Sequence, residues 1–230
     1  MDEPLQEQIA YYRARASEYD QVLLRQGRYD CGPELNRRWH EQLAEVRHAL
    51  LDCGPVDSAL ELACGTGIWT QWLLEIAARV HAIDAAPEML AISREKLPAG
   101  RITWEQADLF AWQPQQEYDL VFCGFWLSHV PPDRLASFLA TVARALCPGG
   151  RFFLVDSRRD PQAASGSAMP YDYDSDNILD ERILDDGRRF TIVKIFHEPA
   201  ALSASLAAQG LQPALHVTDN YFIHGTADKV

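Results

Sequence analysis

The chain has 230 residues, of which 47% are hydrophobic and 23% charged, a composition that suits one folded domain of ordinary size. Its 33 acidic and 21 basic residues give a formal net charge of −12, which disfavours nucleic acid or an anionic membrane as a partner. Five scattered cysteines argue against a disulfide framework and a metal site. The sequence has neither a long apolar run nor a signal-peptide pattern, which argues against a membrane span and predicts a cytoplasmic protein.

Residue spacing predicts two amphipathic helices before the first strand, over 5–24 and 33–51. From residue 57 short apolar runs alternate with helical segments. The predicted strands cover 58–62, 80–84, 102–104, 118–123 and 150–156, and the predicted helices cover 69–78, 87–96 and 132–146. This alternation is typical of βαβ units and predicts an α/β fold with a mostly parallel sheet.

The alternation lapses after residue 157. Residues 158–180 are polar and are predicted to form a mobile loop. The turn sequence Asp185-Asp-Gly187 between apolar runs predicts a β-hairpin. A helix over about 199–209 and two strands near 215–218 and 221–224 are expected to close the chain. Residues 147–150 are predicted to form a turn.

The sequence Glu61-Leu-Ala-Cys-Gly-Thr-Gly67 lies where the first strand meets the following helix, so it presents backbone amides and a helix amino terminus to a ligand. Asp84 ends the second strand, where a carboxylate can accept hydrogen bonds from both hydroxyls of a ribose, and Asp108 follows the third. The alternative for both aspartates is capping of the next helix. Thr70 occupies the position at which a dinucleotide site needs a third glycine, so a pyrophosphate is disfavoured.

Several motifs together resemble those of class I S-adenosylmethionine-dependent methyltransferases over about residues 55–157. They are Glu61-Leu-Ala-Cys-Gly-Thr-Gly67, Ile83-Asp-Ala-Ala-Pro-Glu-Met-Leu90, Ala107-Asp108, Tyr118-Asp-Leu-Val121 and Leu146-Cys-Pro-Gly-Gly150. The resemblance implies a Rossmann-like seven-stranded sheet, mostly parallel with one reversed strand, and helices on both faces. It also implies S-adenosylmethionine as cofactor, S-adenosylhomocysteine as product, and no metal. Cys64 departs from the Ser, Gly or Ala that the family often has there.

The same resemblance implies which residues bind the cofactor. The methionine part would lie along Gly65 to Gly67, the ribose on Asp84, and the adenine against Met89 and near Asp108. The full set of expected cofactor contacts is Tyr19, Glu61, Ala63, Gly65, Thr66, Gly67, Asp84, Ala85, Met89, Asp108, Leu109 and Gly124.

Three features outside this core are candidates for a substrate site. Tyr12, Arg15 and Tyr19 lie near one face of the first helix, which is either a lid or a surface helix. His129 follows the fourth strand and is a candidate base, an anion ligand or a histidine bonded to backbone. Lys194 stands among apolar residues of the hairpin, opposite Arg182, and pairs either with a protein carboxylate or with an anionic substrate.

A closer resemblance extends over nearly the whole chain, to the phosphonate O-methyltransferases of the dehydrophos type. It rests on Tyr11-Tyr-Arg-Ala-Arg-Ala-Ser-Glu-Tyr-Asp20, the loop 126–131 and the segment 182–194, whereas residues 158–180 match poorly. It implies that an anionic head group contacts side chains from these segments. The expected substrate contacts are Tyr12, Arg15, Tyr29, Trp126, His129, Arg182 and Lys194, with His129, Arg182 and Lys194 as the catalytic candidates that orient spectator oxygens.

We therefore expect one methyltransferase domain over 1–230, with a helical cap (1–54), a cofactor-binding core (55–157), a loop and hairpin over the substrate site (158–197), and a closing helix and strands (198–230). The expected reaction methylates an oxygen of a small anionic metabolite, phosphonate first and carboxylate second, in a monomer or homodimer. Two alternatives stay open at this point. One is methylation of a neutral hydroxyl or amine with His129 as base, and the other is a cofactor-binding protein without catalysis.

Overall fold

The structure, a computed structural model, describes residues 3–158 and 178–230, so most of the predicted loop 158–180 lies outside the described residues. The helices are α1 (Glu3–Ala14), α2 (Asp20–Leu24), α3 (Pro33–Leu51), α4 (Ile68–Ile76), α5 (Pro87–Lys96), α6 (Pro132–Ala145) and α7 (Pro199–Ala207). The strands are β1 (Val56–Leu62), β2 (Ala77–Asp84), β3 (Ile102–Gln106), β4 (Tyr118–Gly124), β5 (Leu146–Ser157), β6 (Leu179–Ile183), β7 (Arg189–Val193), β8 (Leu211–Val217) and β9 (Phe222–Lys229).

Seven strands form one sheet in the order β3-β2-β1-β4-β5-β9-β8. Strands β1 to β5 are parallel, and β9 runs antiparallel to both of its neighbours, so it is the reversed strand. Each face of the sheet is covered by helices. The apolar core on one face includes Phe138 of α6 and Leu206 of α7. The core on the other face includes Val46 of α3 and Leu73 of α4. The predicted Rossmann-like architecture is confirmed.

The helix predicted over residues 5–24 is interrupted. Helix α1 ends at Ala14, a 3-10 turn covers Ala16–Glu18, and α2 begins at Asp20. At this break the Thr66 hydroxyl donates a hydrogen bond to Asp20, and the ring of Tyr19 packs over Gly65. Tertiary contacts therefore outweigh the helical spacing of the segment.

Strands β5, β8 and β9 also differ in extent from expectation. Strand β5 begins at Leu146 rather than at residue 150, and its register against β4 shifts between the pairs Tyr118–Leu146 and Leu120–Arg151. The residues predicted as a turn, 147–150, thus form an irregularity within a strand. The two closing strands, β8 and β9, are longer than predicted because they pair with each other along their whole length.

The predicted hairpin is confirmed as a separate two-stranded sheet of β6 and β7. Its turn is closed by the Leu184 amide, which donates to the Arg188 carbonyl at 2.9 Å. Helix α1 lies against the outer edge of β7. The Glu7 carboxylate accepts from the Thr191 amide at 2.8 Å, and the Gln8 side-chain oxygen accepts from the Val193 amide at 3.1 Å. Side chains of α1 thereby satisfy backbone donors that an edge strand would leave unpaired.

Among the residues that the structure describes, no helix is both long enough and apolar enough to cross a lipid bilayer.

Candidate active site

A cavity lies at the carboxyl ends of β1, β2 and β4, with α1 as its roof. The carboxyl edge of a parallel sheet is where such folds bind ligands. Nine of the expected cofactor contacts line it: Tyr19, Ala63, Gly65, Asp84, Ala85, Met89, Asp108, Leu109 and Gly124. The sequence motifs therefore converge on one cavity.

Asp84 is held at the centre of the cofactor end by two backbone amides. The Gly65 amide donates to its Oδ2 at 2.8 Å, and the Ala86 amide donates to its Oδ1 at 2.8 Å. Each oxygen keeps a lone pair for a further donor. Burial raises the pKa of Asp84 to about 6, with the amides acting in the opposite direction. The geometry fits a carboxylate that accepts hydrogen bonds from two adjacent ribose hydroxyls.

The backbone of the glycine loop is bent so that a ligand can approach it. Gly67 has a φ of +85°, and a Cβ there would lie 2.6 Å from Ser93 Oγ, so this glycine lets α4 pack against α5. Gly65 has a φ of +54° and lies beneath the Tyr19 ring. Ala63 and Phe125, which line the cavity, also have positive φ, at 57° and 55°. Such strained backbone is typical of functional sites.

Three expected cofactor contacts lie behind the cavity wall. Glu61 is buried, accepts a hydrogen bond from the Thr70 hydroxyl at 2.5 Å, and has its pKa raised to about 8 by burial. Thr66 and Gly67 shape the loop and the entry to α4. At the far end Asp108 lines the cavity and accepts from the Phe110 amide at 3.0 Å. This bond closes a turn, and the alternative that Asp108 caps a helix is wrong because the described residues between β3 and β4 form no helix.

His129 is fixed in one tautomer at the other end of the cavity. Its Nδ1 lies 2.6 Å from the Val193 carbonyl oxygen, which can only accept, so Nδ1 carries the proton. Nε2 therefore accepts from the Tyr12 hydroxyl, 2.7 Å away. Burial, joined by the positive charge of Lys194, lowers the pKa of His129 to about 3. The imidazole stays neutral at physiological pH.

Gln8 is a site residue that the sequence interpretation missed. It is buried, lines the cavity, and bridges two elements: its Nε2 donates to the His129 carbonyl at 3.2 Å, and its Oε1 accepts from the Val193 amide. Its position one helical turn before Tyr12 was the available signal. The other lining residues outside the expected set are Leu5, Ile9, Ala86, Phe110 and Phe125.

Lys194 lies beneath the loop that carries His129. Its Nζ donates to Ser128 Oγ at 2.9 Å and lies 3.6 Å from Asp156 Oδ1, and both charged side chains are almost fully buried. Asp156 in turn accepts from the Ser128 amide at 2.8 Å. Of the two alternatives for this lysine, the structure shows pairing with a protein carboxylate, and Lys194 is not among the described residues that line the cavity.

Arg15, Tyr29 and Arg182 lie just outside the cavity, around Tyr12. The Arg15 guanidinium is 8% exposed, lies 5.3 to 5.7 Å from the ring centroids of Tyr11, Tyr19 and Tyr29, and donates to the Tyr29 hydroxyl at 3.2 Å. It has no carboxylate partner within residues 3–158 and 178–230. Arg182 pairs with Asp180 at 2.7 Å.

Both cations act on the hydroxyl that faces the cavity. Burial raises the pKa of Tyr12 well above its ordinary value, and the charges of Arg15 and Arg182 oppose that rise. Asp180 balances the charge of Arg182, so Arg15 is the cation near Tyr12 without a carboxylate partner among the described residues, a local exception in an acidic chain. Across the described ranges, no group of three or more His, Cys, Asp or Glu is arranged to hold a metal ion.

The sheet order, the reversed strand and the strand-end aspartates define a nucleoside-binding protein of the Rossmann-like class. The family described as "Methyltransferase domain" matches residues 59–150. The solved complex of DhpI with SAM and HEP is 34% identical, covers 99% of both chains and superimposes with a TM-score of 0.79. The chain belongs to the class I S-adenosylmethionine-dependent methyltransferases, and S-adenosylmethionine is its cofactor.

Two curated relatives agree with this family. Trans-aconitate 2-methyltransferase of Paracidovorax citrulli is 34% identical over 58% of this chain and 53% of its own length. Ubiquinone biosynthesis O-methyltransferase of Xanthomonas euvesicatoria pv. vesicatoria is 33% identical over 66% of this chain and 62% of its own. The chain thus spans about half to three fifths of the length of these relatives.

Proposed function

We propose that the protein methylates an oxygen of a small anionic metabolite, with a phosphonate as the first candidate and a carboxylate as the second. The observation that carries the proposal is the state of His129. Its Nδ1 proton is committed to the Val193 carbonyl, its Nε2 accepts from Tyr12, and its pKa is lowered to about 3. A group of such low basicity is a poor proton acceptor, so the acceptor oxygen should arrive already ionised.

The charges around Tyr12 support an anion at this end of the cavity. The charges of Arg15 and Arg182 act on Tyr12, and the Tyr29 hydroxyl accepts a hydrogen bond from Arg15. Their position attracts an anion without a direct contact to the attacking oxygen. This matters because a cation bound to that oxygen would lower its nucleophilicity. Because Arg15, Tyr29 and Arg182 lie outside the cavity, we assign them to the potential that retains the head group and not to a direct contact with its spectator oxygens.

Lys194 has a different role in this proposal because it is hydrogen-bonded to Ser128 beneath the loop that carries His129 and is paired with Asp156. It holds Ser128, and through it the backbone of His129, against the end of β5. We assign it to positioning of the loop and of the Tyr12–His129 pair. The name of one relative, the ubiquinone biosynthesis O-methyltransferase, supports O-methylation.

Catalysis then depends on alignment. When bound, the cofactor supplies a sulfonium methyl that passes to the oxyanion as the carbon–sulfur bond breaks and the electron pair stays on sulfur. Asp84, held by the Gly65 amide, fixes the nucleoside end, and the wall formed by Tyr12 and His129 limits where the acceptor can lie, so the two reactants meet in line. Helix α1 roofs the cavity and excludes water from the reaction.

A substrate panel with one point variant tests the proposal. Production of S-adenosylhomocysteine is measured at pH 8 with phosphonates, carboxylates and alcohols of matched skeleton, and we expect turnover of the acids alone. Arg182→Gln should raise the Michaelis constant for the acid by roughly tenfold, about 1.4 kcal/mol of attraction. Arg189→Gln is the matched control, since Arg189 also pairs with an acid of the same hairpin, Glu181, but is exposed.

With a carboxylate acceptor, which is ionised throughout, the rate at saturating cofactor should stay level from pH 7 to 9. Preferential turnover of the alcohols, with a rate that climbs with pH, would refute the proposal and favour base-assisted methylation of a neutral hydroxyl.

A further inference from the structure

The cavity has a part that the cofactor residues do not account for, and we call it the acceptor chamber. Its apolar walls are Leu5 and Ile9 from α1, Phe110 after β3, and Trp126 after β4. Its polar members are Gln8, Tyr12 and His129. Apolar side chains therefore surround most of the space that a methyl acceptor would occupy.

The polar members of the acceptor chamber are committed to one another and to backbone. Gln8 donates to the His129 carbonyl and accepts from the Val193 amide. The Tyr12 proton goes to His129 Nε2, and the Nδ1 proton goes to the Val193 carbonyl. The indole nitrogen of Trp126 has no partner in the described part of the chain, but it is buried from solvent and adds no polar surface.

The aromatic side of the chamber is held in place from behind. The rings of Phe110 and Trp126 lie 5.6 Å apart, and Trp126 also contacts Phe138, with ring centroids 6.4 Å apart. The guanidinium of Arg134 covers Phe110 at 5.2 Å from its ring centroid. A wall supported in this way keeps its shape and cannot rotate a donor toward a substrate.

From these contacts we propose that the methyl acceptor has a compact apolar tail, alkyl or aryl, next to its anionic head group. A hydroxyl or ammonium on the tail would lose water against the apolar walls that the described residues form there, and it would have to compete for the polar members that are already bonded to one another. The inference deepens the proposed function and rests on it for the head group. It concerns the tail alone, so the two can fail separately.

An isosteric pair of phosphonates tests the inference. Propylphosphonate and 2-hydroxyethylphosphonate have the same number of heavy atoms and differ by a methyl group in place of a hydroxyl. Both are titrated by calorimetry into the protein saturated with S-adenosylhomocysteine, and both are assayed for turnover. We expect propylphosphonate to bind about tenfold more tightly or better, the ratio typical of an unpaired buried hydroxyl. Equal affinities, or tighter binding of the hydroxylated compound, would overturn the inference.

A variant inside the chamber should change this ratio. Ile9→Thr places a hydroxyl on the wall and should narrow the preference for propylphosphonate at least threefold. Val217→Thr is the matched control, since it makes the same kind of change at an exposed position of β8. An unchanged ratio in folded Ile9→Thr protein would remove α1 from the tail site. Failure of every acid to be methylated would refute the proposed function, and the binding ratio would still decide the inference.

Discussion

Substitution of Lys194 separates a structural role from a substrate-binding role. Lys194→Met leaves Asp156 as a carboxylate that is almost fully buried and without its cation. Removal of one partner from a buried ion pair costs about 3 to 5 kcal/mol. We expect the lower end, because Asp156 keeps hydrogen bonds from the amides of Ser128 and Ser157. A cost of about 3 kcal/mol corresponds to roughly 6 to 12 °C in the melting temperature of a chain of this size.

The double variant Lys194→Met/Asp156→Asn removes both charges, so it should recover most of this loss. The pH dependence follows the carboxylate. Burial alone would raise the pKa of Asp156, but Lys194, His129 and Ser128 outweigh it and hold the pKa below its ordinary value. This carboxylate therefore stabilises the wild type above the unfolded pKa, and the contribution is lost as pH falls through the lower folded pKa.

Without Lys194 the pKa of Asp156 rises, and the folded state takes up the proton more readily. The deficit of Lys194→Met should therefore shrink between pH 7.5 and pH 5, whereas the double variant should show no such change. Urea denaturation at both pH values measures this. A double variant as unstable as the single one would refute the pairing argument. A Michaelis constant raised tenfold in a stable double variant would show instead that the Lys194–Asp156 pair acts on substrate binding.

Two further predictions concern the cofactor end. Asp84→Asn should weaken S-adenosylhomocysteine binding by about 1 to 3 kcal/mol. Wild-type affinity for the same ligand should fall below pH 6, because the pKa of Asp84 is raised to about 6. Calorimetry that finds Asp84→Asn binding as tightly as the exposed control Asp57→Asn would contradict this prediction. Burial raises the pKa of Glu61 from 4.5 to about 8, so wild-type stability should decline as pH rises through that window. In urea titrations Glu61→Gln should lack the decline, and a slope equal to that of the surface variant Glu95→Gln would argue against a protonated Glu61.

The parts of the site that local sequence encodes could be predicted. A glycine loop after an apolar strand and an aspartate at the end of the next strand fix each other through a single hydrogen bond, from the Gly65 amide to Asp84. Both features lie within one βαβ unit, so spacing alone brings them together. The hairpin was predictable for the same reason, because its turn residues are adjacent in the chain.

The partners of the substrate-side residues could not be predicted from the sequence. The carboxylate that pairs with Lys194 comes from Asp156, at the end of a strand in the other sheet. The acceptor of the His129 Nδ1 proton is a backbone carbonyl, and the pattern of side chains in the sequence does not indicate which carbonyl it is. At the break after Ala14, Asp20 accepts a hydrogen bond from Thr66, which belongs to a distant segment of the chain. Each of these contacts exists only once the chain has folded.

The hairpin of β6 and β7 joins the rest of the protein through main-chain hydrogen bonds, in addition to the buried side chains of Leu184 and Ile192 that pack with Tyr11 of α1. The amides of Thr191 and Val193 donate to α1, the Val193 carbonyl accepts from His129, and the Ile195 amide donates to the Ser128 carbonyl. Near the turn, Arg28 donates to the carbonyl of Ile183. These main-chain attachments place few demands on side-chain identity. Mutation can therefore vary the exposed side chains of the hairpin, such as Glu181 and Arg189, while its anchorage and the cofactor site are retained.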